Sequence, residues 1–149
     1  MADSSMIHYR ANEPPRAIMK SKTIKWSIDY LQKDRIVHVR TDAALDLEEN
    51  KKLIRQVFEI LRKNKAHKVL VEHSHKIKLS VLEIDKIPDL IKEFDFSEED
   101  RVAVVYDPAQ PGSIMLTFLR DVLYLSSYKL QLFTDKNKAV AWLKSDSKF

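Results

Sequence analysis

The chain has 149 residues, of which 44% are hydrophobic and 32% charged, and its formal net charge is +4. This composition is typical of one soluble globular domain, and no apolar run approaches the roughly 20 residues needed to cross a bilayer. The absence of cysteine and the single glycine, Gly112, exclude disulfides, thiolate metal sites and glycine-rich nucleotide-binding loops. We therefore predict a cytoplasmic protein with no cofactor and no integral membrane association.

The basic residues are interleaved with acidic residues along most of the chain. The densest basic patch is Lys63, Lys65, His67 and Lys68, at a predicted helix end where cations complement the helix dipole. Nucleic-acid-binding proteins usually gather positive charge on one face. We therefore predict no nucleic-acid partner.

The first predicted elements are a tail and two strands. Residues 1–22 contain Pro14-Pro15 and no sustained periodicity, which indicates a tail before a single domain at residues 23–149. Apolar residues alternate with polar ones from Ile24 to Tyr30, which predicts a strand with one solvent-exposed face. Ile36 to Val39 predict a second strand, and the short turn between them requires an antiparallel pair.

The middle of the chain alternates between helices and a strand. Asp46 to Asn64 is the clearest helix, with Asp46 as its cap and Glu49 at the capping-box position. Lys68 to Val71 predict a buried strand. Ser80 to Glu83 match a second capping box, but Pro88 would fall inside a helix begun there. We predict one turn at residues 81–84 and a separate main helix at 86–94, capped by Asp85.

Residues 101–135 read as a complete strand, helix, strand unit. Val102 to Val105 and Leu130 to Phe133 predict strands that must be parallel neighbours, because the helix from Ser113 to Leu125 connects them. Asp135 caps a last helix through Lys144. The predicted fold class is α/β, a single open mixed sheet of about five strands, the first antiparallel and the rest parallel, with about four helices.

Several of these segments resemble the SpoIIAA-like proteins, relatives of the STAS domain. They are the strand Arg101 to Asp107, the strand end Leu132-Phe-Thr-Asp135 and the closing helix Ala139-Val-Ala-Trp-Leu143. The resemblance covers residues 24–143 and implies a five-stranded sheet, a fold shared with the lipid-binding CRAL-TRIO domains. STAS anti-sigma-factor antagonists carry a phosphorylatable serine in a D-S-S-G motif, which this chain lacks. Ser74 and Ser80 are the nearby hydroxyls, and neither precedes a glycine. We include both among the predicted ligand-binding residues.

Ligands in open α/β sheets usually lie at the carboxyl ends of parallel strands. Here the loop after Asp107, with two prolines and Gly112, leads into a helix start where an anion or polar head group can dock. The alternative, which we favour, is that Asp107 only caps the turn. His73 and His75 have no third ligand at a recognisable spacing, so we predict no metal site. His38 is interpreted as a core or interface histidine.

The predicted central helix carries more apolar circumference than one sheet face can bury. Its own chain, a second subunit or an apolar ligand must cover the remainder. A homodimer would use Met115, Val122 and Leu123. A ligand would place its tail against Phe118 and Leu119 and its head near Asp107.

No catalytic constellation is recognisable in the sequence. We therefore predict a non-enzymatic STAS-like module that acts by protein–protein interaction, as a homodimer. The alternative is a carrier or sensor of a small amphipathic, lipid-like ligand beside the central helix.

Overall fold

The computed structural model describes residues 6–10, 25–75 and 78–145, and for residues 6–10 it describes the backbone alone. In this part of the chain the strands are β1 (Met6–Arg10), β2 (Trp26–Leu31), β3 (Ile36–Thr41), β4 (Lys68–His73), β5 (Arg101–Val105) and β6 (Lys129–Phe133). The helices are α1 (Leu47–Lys63), α2 (Val81–Ile84), α3 (Ile87–Lys92), α4 (Ile114–Leu125) and α5 (Lys136–Lys144).

The strands form one mixed sheet whose spatial order is the same as their order in the chain. Strands β1, β2 and β3 are antiparallel neighbours, and β3 to β6 are parallel. The predicted fold class is confirmed. One strand was not predicted, because β1 lies within the segment interpreted as a tail, and it pairs along the whole of Met6–Arg10 with residues 27–31 of β2. The rest of that predicted tail lies outside the described residues.

Helices cover the two faces of the sheet unequally. Helices α1, α3 and α4 pack on one face over the larger core, where strand residues such as Val37, Val69 and Val104 meet Leu61 and Leu116. Helix α5 packs on the other face, over a smaller core. The fully buried residues of that second core are Ile36, Leu70, Ala103, Ala139 and Leu143. The alternation of strand side chains thus supplies two separate apolar layers.

Local sequence signals set where the helices begin. The Asp46 carboxylate accepts a hydrogen bond from the Glu49 amide at 2.8 Å, and the Glu49 side chain accepts one from the Asp46 amide, so the predicted capping box is present. Ser80 and Glu83 form the same reciprocal pair at the start of α2. The predicted break before Pro88 is confirmed. The predicted cap Asp85 is wrong, because α3 begins after Lys86 without a side-chain cap and Pro88 occupies its first turn.

Candidate functional site

A cavity of about 190 Å³ lies between the sheet and the helices of the larger core. Its walls are almost entirely apolar. They come from β3, β4 and β5 beneath and from α1, α3 and α4 above, and include Val39, Val71, Leu53, Val57, Ile87, Ile91, Val104, Met115, Leu116, Leu119 and Leu123. A well-packed interior contains few voids larger than a water molecule, so a cavity of this size is a distinct feature of the fold.

Two polar side chains reach this cavity at the carboxyl ends of β3 and β4. Thr41 is 4% exposed, and its Oγ1 atom has no hydrogen-bond partner among the described residues. The buried Nε2 atom of His73 is likewise without a partner there. Thr41 and His73 are Cα partners across the parallel strands, so their side chains project side by side from the same face. Unpaired polar atoms in an apolar wall are rare because burying them costs free energy.

Burial of the His73 ring favours its neutral form. Burial lowers the pKa of His73 below its ordinary value of 6.5, although a hydrogen bond to the backbone of His75 acts in the opposite direction. A backbone bond that raises the pKa is one that the ring donates, and the donating nitrogen is Nδ1 because Nε2 has no partner. The Nε2 atom therefore faces the cavity as a hydrogen-bond acceptor.

The two ends of the cavity differ in character. At one end, aromatic rings close the larger core: Phe58 stacks on Phe94 with 5.2 Å between ring centroids, and Phe96 lies 4.7 Å from Tyr128. At the other end, beside Thr41 and His73, the lining includes Lys78 and Leu79 of the loop before α2. Asn50 of α1 also lines the cavity, but its amide already donates to the carbonyls of Leu45 and Asp46. Lys129, next to Tyr128, also lines the cavity, but its ammonium group donates to the carbonyl of Glu98. The unpartnered polar atoms therefore lie at the end nearest the loop.

A second, more polar cleft lies at the carboxyl ends of β4, β5 and β6. It brings together two predicted site residues, Ser74 and Asp107, with Tyr106 and Thr134. The Ser74 hydroxyl donates to the carbonyl of Thr41 at 2.9 Å. The Asp107 carboxylate accepts from the Ala109 amide at 2.9 Å, which is the turn-capping role we favoured from the sequence. Both side chains therefore have structural partners.

Glu72, which also borders the second cleft, is the centre of a charged cluster on the face covered by α5. Its Oε2 atom contacts His38 Nε2, lies 3.3 Å from Arg40 Nε and lies 3.4 Å from Lys136 Nζ. Burial lowers the pKa of His38, although the hydrogen bond that His38 donates to Glu72 acts in the opposite direction. Burial acts to raise the pKa of Glu72, but the contacts with His38 and Lys136 outweigh it and lower that pKa. The buried histidine predicted at position 38 therefore has a charged partner.

The residues predicted to bind a ligand or to form a dimer interface lie in different environments in the structure. Leu119 and Met115 line the apolar cavity, whereas Phe118 packs elsewhere on α4 and is not part of the lining. Leu123 is 3% exposed and belongs to the chain's own core, while Val122 is half-buried. Ser80 caps α2 and does not line the second cleft that contains Ser74 and Asp107. The predicted head-group position at Asp107 is not on the cavity wall, where Thr41 and His73 lie instead.

The outward face of α4 exposes several apolar side chains in the described part of the chain. Ile114 is 74% exposed and Leu125 is 84% exposed. Residues four and seven positions apart lie on one side of a helix, so Ile114, Phe118 and Leu125 form a single stripe, which the exposed carboxylate of Asp121 interrupts. Val81 and Leu82 of α2, which contacts α4, are exposed as well. We refer to Ile114, Phe118 and Leu125 as the α4 stripe.

The described residues contain no group of three His, Asp or Glu side chains placed to hold a metal ion. Within the same ranges, no helix has both the length and the apolar character to cross a membrane.

Comparison with protein-family models, with curated proteins and with solved structures finds no match. The fold and the cavity alone therefore define the class of protein, which is an open α/β domain with an apolar cavity between its sheet and its crossover helices. The SpoIIAA-like resemblance stays a prediction.

Sequence reasoning missed the two polar cavity residues. Thr41 was assigned no role from the sequence, and His73 was considered only as a metal ligand. The available signal was their position, since both end parallel strands that the sequence itself predicts. Whether a hydroxyl or ring nitrogen has a partner depends on distant residues and is not visible along the chain.

Proposed function

We propose that this protein is a non-enzymatic binding module for a small, largely apolar molecule held in the cavity beneath α4. The observation that carries the proposal is an apolar cavity of about 190 Å³ with two unpartnered polar atoms at one end. Small-molecule sites are typically concave, mostly apolar and equipped with a few polar groups that fix orientation. The arrangement therefore favours the carrier or sensor among the functions predicted from the sequence.

The energetic argument rests on the size of the cavity. A void in a protein core costs about 24 cal/mol per Å³, so a cavity of 190 Å³ corresponds to a penalty on the order of 5 kcal/mol. An apolar molecule that fills the space recovers dispersion contacts and removes its own surface from water. An empty cavity therefore lowers the stability of the folded chain, and a bound apolar molecule would offset that loss.

The first prediction is that toluene stabilises the protein by entering the cavity. At a concentration of about ten times its Kd, a ligand contributes RT ln 11, about 1.4 kcal/mol, which raises Tm by about 4 °C for a domain of this size. The measurement is thermal unfolding followed by circular dichroism, with and without toluene. We expect the Val71→Phe variant to lose this rise, because Val71 lines the cavity and a phenyl ring fills it.

The matched control is Val81→Phe, the same substitution at a residue of α2 that is 52% exposed. This variant should keep the full toluene response. Val71→Phe should unfold at or above the Tm of the unmodified protein, since added atoms occupy existing space. An equal response to toluene in Val71→Phe and in the unmodified protein contradicts the cavity as the binding site, and so does no response in either.

A second candidate function is self-association through the α4 stripe, as a homodimer. It is favoured by the exposure of Ile114 and Leu125, because exposed apolar patches commonly mark protein interfaces. Met115 and Leu123 face inward, so of the residues predicted for this interface only Val122 lies near the outward surface.

The second prediction concerns oligomeric state. Light scattering coupled to size-exclusion chromatography at micromolar concentration should give the mass of two chains. Leu125→Glu should shift this mass to one chain, because it places a charge within the apolar contact. The control, Leu82→Glu, alters an exposed leucine of α2 outside the stripe. A monomeric mass for the unmodified protein removes the dimer and leaves the cavity proposal unaffected.

A further inference from the structure

The polar end of the cavity has a defined hydrogen-bonding character. Thr41 Oγ1 carries a hydroxyl proton to donate, and the neutral ring of His73 presents Nε2 as an acceptor. Neither atom has a partner among the described residues. The complementary group is one that accepts one hydrogen bond and donates another. A hydroxyl group does both with a single oxygen atom.

Thr41 and His73 are neighbours at the polar end of the cavity. Thr41 and His73 are paired across β3 and β4, and neighbouring strands lie about 4.8 Å apart. Because both residues project from the same face of adjacent strands, one polar group of a ligand can lie between the two side chains.

The size of the cavity limits the rest of the molecule. A cavity of about 150 Å³ holds benzene, which corresponds to roughly 25 Å³ for each non-hydrogen atom. On that scale, 190 Å³ accommodates roughly eight non-hydrogen atoms. The site is therefore suited to a small ring or short chain with one hydroxyl group.

We infer that the cavity selects a neutral alcohol or phenol of this size, whose hydroxyl oxygen accepts a hydrogen bond from Thr41 Oγ1 and donates one to His73 Nε2. This inference rests on the proposed function and specifies its ligand class. A carboxylate has no proton to donate to Nε2, and burying its charge in an apolar wall is costly. An ammonium group carries the same burial cost. Lys78 lines the loop end of the cavity and is exposed, so a carboxylate is the rival that the experiment has to separate.

The third prediction compares four probes of the same ring size by isothermal titration calorimetry at pH 8: toluene, benzyl alcohol, benzylamine and benzoate. We expect benzyl alcohol to bind about tenfold more tightly than toluene, because its hydroxyl satisfies two buried polar atoms. Benzylamine and benzoate should bind more weakly than benzyl alcohol. In the Thr41→Val variant the affinity for benzyl alcohol should fall to near that for toluene, while the affinity for toluene is retained or rises.

The control is Thr134→Val, which changes an exposed threonine of the second cleft and should keep the preference for benzyl alcohol. Toluene binding by Thr41→Val reports that its cavity is intact, and the probe order in the unmodified protein decides the question even if that variant fails to fold. Equal affinities for toluene and benzyl alcohol overturn the inferred hydroxyl selection but leave the cavity proposal standing. Tighter binding of benzoate than benzyl alcohol overturns the neutral head group. Absence of binding by all four probes overturns the proposed function itself.

Discussion

Asp100 is a buried charge that is fully engaged by its surroundings. It is 1% exposed, and its carboxylate accepts hydrogen bonds from Arg62 at 2.7 Å, from the Ser97 amide at 2.7 Å and from His67 Nδ1 at 2.9 Å. Burial disfavours the charged form, but these hydrogen bonds outweigh it and lower the pKa of Asp100 below its ordinary value of 3.8. The residue ties the end of α1 to the turn before β5.

The fourth prediction is that Asp100→Asn destabilises the protein by about 3 kcal/mol at pH 7, because it removes one partner of a buried charged pair. Because the folded-state pKa is depressed, the stabilisation is present above the unfolded pKa and is lost as pH falls through the folded pKa. The difference between variant and unmodified protein should therefore narrow as pH falls below about 4. Urea unfolding at several pH values measures this difference.

The matched control for this prediction is Asp121→Asn, whose carboxylate forms an exposed pair with the neighbouring Arg120 at 3.1 Å. Exposed pairs contribute about 0 to 1 kcal/mol, so this variant should stay close to the unmodified protein at every pH. Equal losses from the two substitutions, or a difference that widens in acid, would contradict the role assigned to Asp100.

Residue chemistry was only partly predictable from the sequence. Asp107 was correctly favoured as a turn cap because an aspartate before proline bonds local amides, and local bonds leave a signal in the sequence. The unpaired polar atoms of Thr41 and His73 left no such signal in the sequence. They lack partners because of how α1, α4 and the strands are arranged around them. Asp100 was likewise assigned no role, because Arg62 and His67 are distant in the chain.

At the scale of an element, α1 has the clearest boundary in the chain. The reciprocal hydrogen bonds between Asp46 and Glu49 satisfy amides that would otherwise lack partners at a helix start. Lys25 also contacts Glu49, which joins this helix start to the residue preceding β2. The cap therefore orients a helix whose inner face supplies Leu53, Val57 and Phe58 to the larger core.

The fifth prediction is that Asp46→Ala lowers the free energy of unfolding by about 1 kcal/mol, the usual cost of losing a side-chain cap. Chemical denaturation monitored by circular dichroism gives the value. Glu48→Ala is the control, because Glu48 lies in the same turn, is 77% exposed at its side chain and makes only an exposed contact with Lys51. A loss from Glu48→Ala as large as that from Asp46→Ala would show that charge near the helix start, and not the cap, is responsible.

Helix α4 shows where periodicity stops being informative. Its apolar residues surround most of the helix, so the sequence predicted that something must cover the excess but not which side faced the sheet. Leu119 faces the cavity as predicted for a ligand-binding residue, while Phe118, its neighbour in sequence, lies on the α4 stripe. A wider and continuous polar strip along α4 would have indicated from the sequence which side of the helix faces solvent.

For the whole molecule, the parallel order and the five predicted strands followed from simple rules. Short turns require antiparallel pairs, and helical connections require parallel pairs, so residues 24–143 allowed few alternatives. Strand β1 escaped prediction because Met6–Arg10 has no clean alternation and is followed by prolines. Its pairing with β2 is a property of the assembled sheet rather than of its own five residues.

The strands lie in the sheet in the same order as in the chain, and this order has a consequence for folding during translation. Each strand finds its partner already made when it leaves the ribosome, so the sheet grows by addition at one edge. Helix α5, the last described element, alone covers the face formed by Ile36, Leu70 and Ala103. That apolar surface therefore stays exposed until α5 has been synthesised, and a nascent chain stalled before Asp135 is prone to aggregate through it.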